Sequence, residues 1–389
     1  MNKGNTAKQT VELSAVRILL MGLAAALFCA NLPAASTELS SLVLLVFAYG
    51  MAKLCQNKLL VALVAVPTGG ILLIPPVEML DSLIYLASIL FGTLAAIAVG
   101  GIMLGGKKRD VAVYIASLAV AFIGVFAYTR NIYAACATLV TLPSAAALAV
   151  CDKKKMGRVP CLCAVSAAFL LSILAPAVIV LASTHGTDTL NFIGTSVESF
   201  RLSVNDKLIE MGAMLGKPYS ELYSPKSADA LTRLTFDVLP ALAIVSGNII
   251  AFFSQTCYFA LKDKFVRKVK ASERVLIMSK TSAWMFVISL ALTFITSFFE
   301  EAPMQIFSVA MTNLNMILTP AFFVIAAFTL IALLQSRKSK LSLFTIILIV
   351  FALVNFGSYL MYPLSIFGAI TVLRLPSSPP QSGTSDKNS

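Results

Sequence analysis

Residues 234–261, LTFDVLPALAIVSGNIIAFFSQTCYFAL, are long and apolar enough to cross a bilayer, which takes about 20 residues of helix. The same stretch carries Asp237, Asn248 and Gln255. At about 100° per residue, their spacing returns all three to nearly one helical angle. Each unpaired polar group in hydrocarbon is costly, so the stripe must face other helices or a wet cavity rather than lipid.

Similar apolar runs recur along the whole chain. With 58% hydrophobic and only 12% charged residues, the composition excludes an ordinary soluble domain and predicts an all-α, polytopic transmembrane helix bundle. The net charge of +12 does not indicate nucleic acid, because the basic residues sit in short blocks between apolar runs. The blocks are Lys107–Arg109, Lys153–Lys155 with Arg158, the run 262–280, and Arg337-Lys338 with Lys340. Basic loops of this kind stay cytoplasmic. The pattern gives a cytoplasmic N-terminus in a bacterial cell membrane and about eleven spans (range roughly nine to twelve).

The chain divides into four parts. Residues 1–183 hold about seven N-terminal membrane helices. The first follows Arg17 and has Gly22, Ala26 and Ala30 on one face, a small-residue surface that lets a partner helix approach closely. A signal peptide is the other reading of this segment, but Pro33 lies close to the cut and many spans follow. The third span, about 59–77, is broken by Pro67-Thr68-Gly69-Gly70; interrupted helices of this kind often line transporter sites. Residues 184–233 are read as external. There Val197, Phe200, Val204, Leu208, Met211 and Leu215 step by three or four, predicting an amphipathic helix that lies in the interface or closes over a cavity. Residues 234–374 hold the C-terminal membrane helices, and 375–389 form a Ser/Pro-rich disordered tail.

Catalytic motifs are missing: no HExxH, GxSxG, P-loop or GxGxxG occurs, and His185 is the single histidine. An intramembrane aspartyl protease needs two membrane aspartates, and only Asp237 is placed for the part. The seven cysteines fall mostly in or beside the spans, so neither a disulfide framework nor a metal site is expected. A non-enzyme without cofactor or metal is therefore expected.

The polar residues of the last spans remain: Asp237, Asn248, Gln255, Asn313, Asn315, Asn355 and Tyr359. They are candidates for binding a small solute, with Asp237 supplying charge and the amides orienting the ligand. The alternative for each amide is a helix-to-helix hydrogen bond, worth about 0.6 kcal/mol on average. The run 262–280, with Arg267, Lys268 and Lys270, reads as a surface segment on anionic lipid or as a dock for a cytoplasmic partner. The expected partners are thus the lipid bilayer, a small solute, and a cytoplasmic or membrane protein, with no nucleic acid.

The C-terminal half also carries a resemblance. Phe236-Asp237-Val238-Leu239-Pro240-Ala241-Leu242, continuing to Asn248, then Asn313-x-Asn315 and Phe367-Gly368-Ala369, resembles the YybS-like family of predicted bacterial membrane proteins. Thr371 and Arg374 depart from the acidic residue and basic cluster that the family often places after that glycine. The helical plan of that family is similar to the substrate-binding membrane subunits of energy-coupling-factor vitamin importers. Such a likeness implies a helical substrate subunit in which Ala26-x-x-x-Ala30 docks on a partner.

Overall fold

The computed structural model describes residue 45 and residues 48–53, 78–269, 276, 278–296, 298–299, 302–336 and 360–374. The first span with Ala26 and Ala30, the broken third span, Lys270, Asn355, Tyr359 and the Ser/Pro-rich tail lie outside the described residues. Among the described residues every regular element is helical.

After a helical piece at 48–53 come α1 (Glu78–Gly105), α2 (Lys108–Thr129), α3 (Ile132–Ala137), α4 (Thr141–Lys153) and α5 (Arg158–His185). A single 3-10 turn, Gly186–Asp188, leads to α6 (Thr189–Leu215) and α7 (Lys217–Leu222). The C-terminal helices are α8 (Pro225–Phe265), α9 (Lys280–Thr296), α10 (Ala302–Ser336) and α11 (Leu360–Arg374). Among the described residues, five helical stretches are long and apolar enough to cross a membrane, and three shorter apolar helices accompany them. Large apolar side chains such as Val120, Ile123, Leu171, Ile179 and Phe294 are more than half exposed. On a membrane protein such residues form the lipid-facing surface, where exposure carries no hydrophobic cost.

Proline and glycine set the breaks. The sequence predicts one span at about 132–150 bent by Pro143; residues 135–153 are long and apolar enough to be that span, and they tighten into turns at 138–140 between α3 and α4. Pro143 sits in the first turn of α4, where its missing N–H would have had no helical partner. Gly216, at φ 99°, separates α6 from α7, and Pro225 opens α8.

α8 extends the featured stretch at both ends. At 41 residues it is about 60 Å long, twice the hydrocarbon thickness of about 30 Å. Its ends must therefore leave the apolar layer. They carry Lys226, Asp229 and Arg233 on one side and Lys262 and Lys264 on the other.

The described chain forms two compact units. The first comprises residues 1–200 with 246–275, and the second 201–245 with 276–389. In the first, α1 lies on α4 and α4 on α5 around a core that includes Ile97, Tyr114, Leu148, Val165, Tyr258 and Leu261. Close approach depends on two glycines of α1. A Cβ at Gly100 would come within 2.8 Å of the Ala145 Cβ, and one at Gly101 within 2.9 Å of Leu148. The second unit has its own core, in which Phe286 of α9 meets Phe322 of α10 and both lie with Ala369 and Val372 of α11.

Candidate functional site

The polar residues singled out in the sequence take different surroundings. Gln255 is fully buried in the first unit, and its Nε2 donates to the Arg158 carbonyl at 3.4 Å. Its Oε1 makes no hydrogen bond among the described residues. Arg158 in turn donates to the Thr256 hydroxyl at 3.0 Å, and its guanidinium lies 4.7 Å from the Phe252 ring centre. About two turns further on, Lys262 pairs with Asp152 of α4 and lies 5.4 Å from the Tyr258 ring centre. These contacts tie the end of α8 to α4 and to the start of α5. Asn248 is half-buried and makes no hydrogen bond among the described residues.

In the second unit, Asn313 of α10 faces α8 beside Pro240. Its Oδ1 accepts from the Ala241 amide at 3.1 Å, and its Nδ2 donates to the Asp237 carbonyl at 2.9 Å. These are the amide and carbonyl that a regular helix would pair with each other, since 241 and 237 are four residues apart. Pro240 disturbs the helical ladder at this point, because its ring crowds the preceding turn. The carboxamide of Asn313 thus bonds both groups, on either side of Pro240. Nδ2 also donates to the Val309 carbonyl of its own helix at 2.9 Å.

Asn315 faces α9 instead. It accepts from the Ser289 hydroxyl at 2.7 Å and donates to the Thr293 hydroxyl at 2.9 Å, in a buried setting. α10 also meets α11 closely. The Ser365 hydroxyl reaches the Thr319 carbonyl at 3.0 Å, and a Cβ at Gly368 would overlap the Phe322 carbonyl.

The side chain of Asp237 belongs to a different feature. With Leu234 and Val238 of α8, Thr296 and Phe299 at the end of α9, and Gln305, Ser308, Val309 and Thr312 of α10, it lines an open cleft of about 320 Å³. That volume is at the small end of the range for ligand sites, about 300–1,000 Å³. Apolar walls with a few convergent polar groups are the usual make-up of such sites. Among the described residues the Asp237 carboxylate has neither a hydrogen bond nor a salt bridge. Arg233, one turn away, is committed to Asp229 at 2.8 Å, and Asp229 also holds Arg201 at 2.5 Å.

The structure thus brings Asp237 and Asn313 side by side, turns Asn315 to α9, and holds Gln255 and Asn248 in the other unit. Thr296, Gln305, Ser308 and Thr312 were not singled out from the sequence. The last three nonetheless step by three and four along α10, a stripe within about 60° of arc. That spacing was readable in the sequence but was overshadowed by the two asparagines beside it.

The basic run 262–280 was expected to form one surface helix. α8 instead ends at Phe265, residues 267–269 are not helical, and the Val269 amide is held by the Asp263 carboxylate at 2.9 Å. Lys262 is only 4% exposed. Arg267 and Lys268 are exposed. The five described cysteines, Cys136, Cys151, Cys161, Cys163 and Cys257, are free thiols.

A family model described as a predicted membrane protein, DUF2232, matches residues 79–370, well over half of the chain. No curated protein and no solved structure matches it.

Proposed function

We propose that this chain, which belongs to the DUF2232 family of predicted membrane proteins, is a transport-related, non-enzymatic protein that holds a small solute in the cleft beside Asp237. The observation carrying this reading is one cleft with an uncommitted carboxylate, three hydroxyls and a carboxamide set among apolar walls. In this reading Asp237 supplies charge, while Thr296, Gln305, Ser308 and Thr312 orient the solute. The N-terminus is cytoplasmic, in a bacterial cell membrane, and the Asp237 end of α8 faces outward, as the basic loops direct. No nucleotide-hydrolysing motif lies in the sequence, so movement draws on an ion gradient or a separate subunit. The YybS-like resemblance, and through it the likeness to importer substrate subunits, supports the same class of function.

A regulatory role through the basic segment has less support. Lys262 is spent on Asp152, and the described part of the segment is not a helix that offers one basic face.

A thermal-shift screen of the purified protein against vitamins, nucleobases, amino acids and lipids tests the proposal. A stabilising small solute whose effect disappears when Thr312→Trp fills the cleft is the expected result. A hit indifferent to that substitution, or stabilisation by lipids alone, defeats it.

A further inference from the structure

Resting on the proposal that the cleft is a solute site, we infer that its ligand is a small organic ammonium ion. Among the described residues that line the cleft, Asp237 is the only ionisable group. Every other polar group there, the hydroxyls of Thr296, Ser308 and Thr312 and the carboxamide of Gln305, is neutral and can accept a hydrogen bond. The Asp237 carboxylate is acceptor-only when ionised, and no described residue donates to it. An anionic solute would have to displace the charge or approach it unscreened. A cation meets the oxygen that the fold leaves open.

The walls decide between a bare metal ion and an organic cation. Hard cations take six or more oxygen ligands, or keep their water. Here one carboxylate and scattered hydroxyls share the cleft with Leu234, Val238, Val309 and the ring of Phe299. A volume of about 320 Å³ is that of roughly ten waters, far more than a desiccated ion fills. An ammonium group on a hydrocarbon body fits both halves of this lining. Its charge goes to Asp237, its N–H groups go to the hydroxyls of α10, and its carbon skeleton lies on the apolar wall. Phe299 offers an aromatic face of the kind that attracts alkylammonium ions. The neighbouring arginines do not oppose this, because Arg201 and Arg233 are both drawn onto Asp229.

Four probes of similar size separate the possibilities: n-butylammonium, tetramethylammonium, butyramide and butyrate, with sodium and potassium chloride as ionic controls. Binding to the full-length protein in nanodiscs is followed by calorimetry. Either ammonium ion is expected to bind in preference to butyramide and butyrate, and Asp237→Asn should weaken it about tenfold, as the loss of a charged hydrogen bond does. Thr312→Trp should abolish it. Binding of butyramide or butyrate that survives Asp237→Asn but not Thr312→Trp overturns the ammonium inference and leaves the cleft as the site. Ammonium binding that survives Thr312→Trp removes the cleft itself. Failure of both ammonium probes, or binding of the metal ions alone, also overturns the inference.

Discussion

Replacing Asn313 with leucine removes the carboxamide that bonds the Ala241 amide and the Asp237 carbonyl beside Pro240 of α8. Two bonds to α8 are lost, and their costs differ. The Ala241 amide is on a fully buried residue, so without Asn313 it has no water to turn to. An unsatisfied buried donor costs about 1–3 kcal/mol. The Asp237 carbonyl sits in the more open part of the contact and can be rehydrated, which adds little. A loss of about 2 kcal/mol is expected. An ordinary interhelical amide in a membrane protein is worth about 0.6 kcal/mol, so the two cases are separable.

The decisive measurement is a double-mutant cycle with Pro240→Ala, read as reversible unfolding in bicelles. With alanine at 240 no proline ring crowds the preceding turn, and the Ala241 amide can rely on the Asp237 carbonyl as in a regular helix. In that background Asn313→Leu should cost only about 0.6 kcal/mol. The expected coupling between the two sites is therefore about 1–2 kcal/mol, within the range measured for residues in contact. Equal costs of Asn313→Leu in the two backgrounds would refute the idea that the carboxamide repairs the proline break.

Three further predictions concern close contacts and the buried pair. Gly368→Ala places a Cβ on the Phe322 backbone, with 2.9 Å to its carbonyl carbon and 3.3 Å to the Ala326 amide nitrogen, so no side-chain rotation relieves it. A loss of about 3 kcal/mol is expected, at the upper end for overpacking, seen as a fall in thermal stability. Gly124→Ala is the contrasting case: nothing lies within 4 Å, and helix propensity alone should stabilise the protein by about 0.5–1 kcal/mol. For the Lys262–Asp152 pair, the lysine side chain is 5% exposed and the carboxylate 27%. Asp152→Asn strands the more buried charge and should cost about 3 kcal/mol, whereas Lys262→Met leaves an acid that water reaches and should cost less. The reverse order, measured by the same unfolding assay, would show that the burial of the lysine does not control the energetics.

The helical class was legible because bilayer-length apolar runs leave the backbone one solution. Local breaks were legible where the residue acts on its own backbone, as at Gly216 and Pro225. The place where α8 ends within the run 262–280 was not legible in this way. The run's composition is that of a solvated face, but Lys262 finds Asp152 on a helix more than a hundred residues away, and such a pairing leaves no local mark. The proline of α8 was visible, as was Asn313; that the second bonds the backbone beside the first depends on the approach of two helices.

Polar residues within membrane helices divide by two properties, access and unspent bonding capacity. Asn313 has used both ends of its amide, and Asn315 likewise, so neither has much left for a ligand. Gln255 keeps an unbonded oxygen, but it is sealed from any opening. Asp237 alone among these combines a free acceptor with a place on the cleft. The division makes opposite demands on two variants one helix apart. Asn313→Leu should lower unfolding stability while the folded fraction keeps its affinity for an ammonium probe. Asp237→Asn should leave stability within about 0.5 kcal/mol, as for a surface substitution with no partner to lose, and weaken the probe. If Asp237→Asn instead destabilises the protein as much as Asn313→Leu does, the carboxylate is structural, and the cleft loses the one group that gives it a chemical preference.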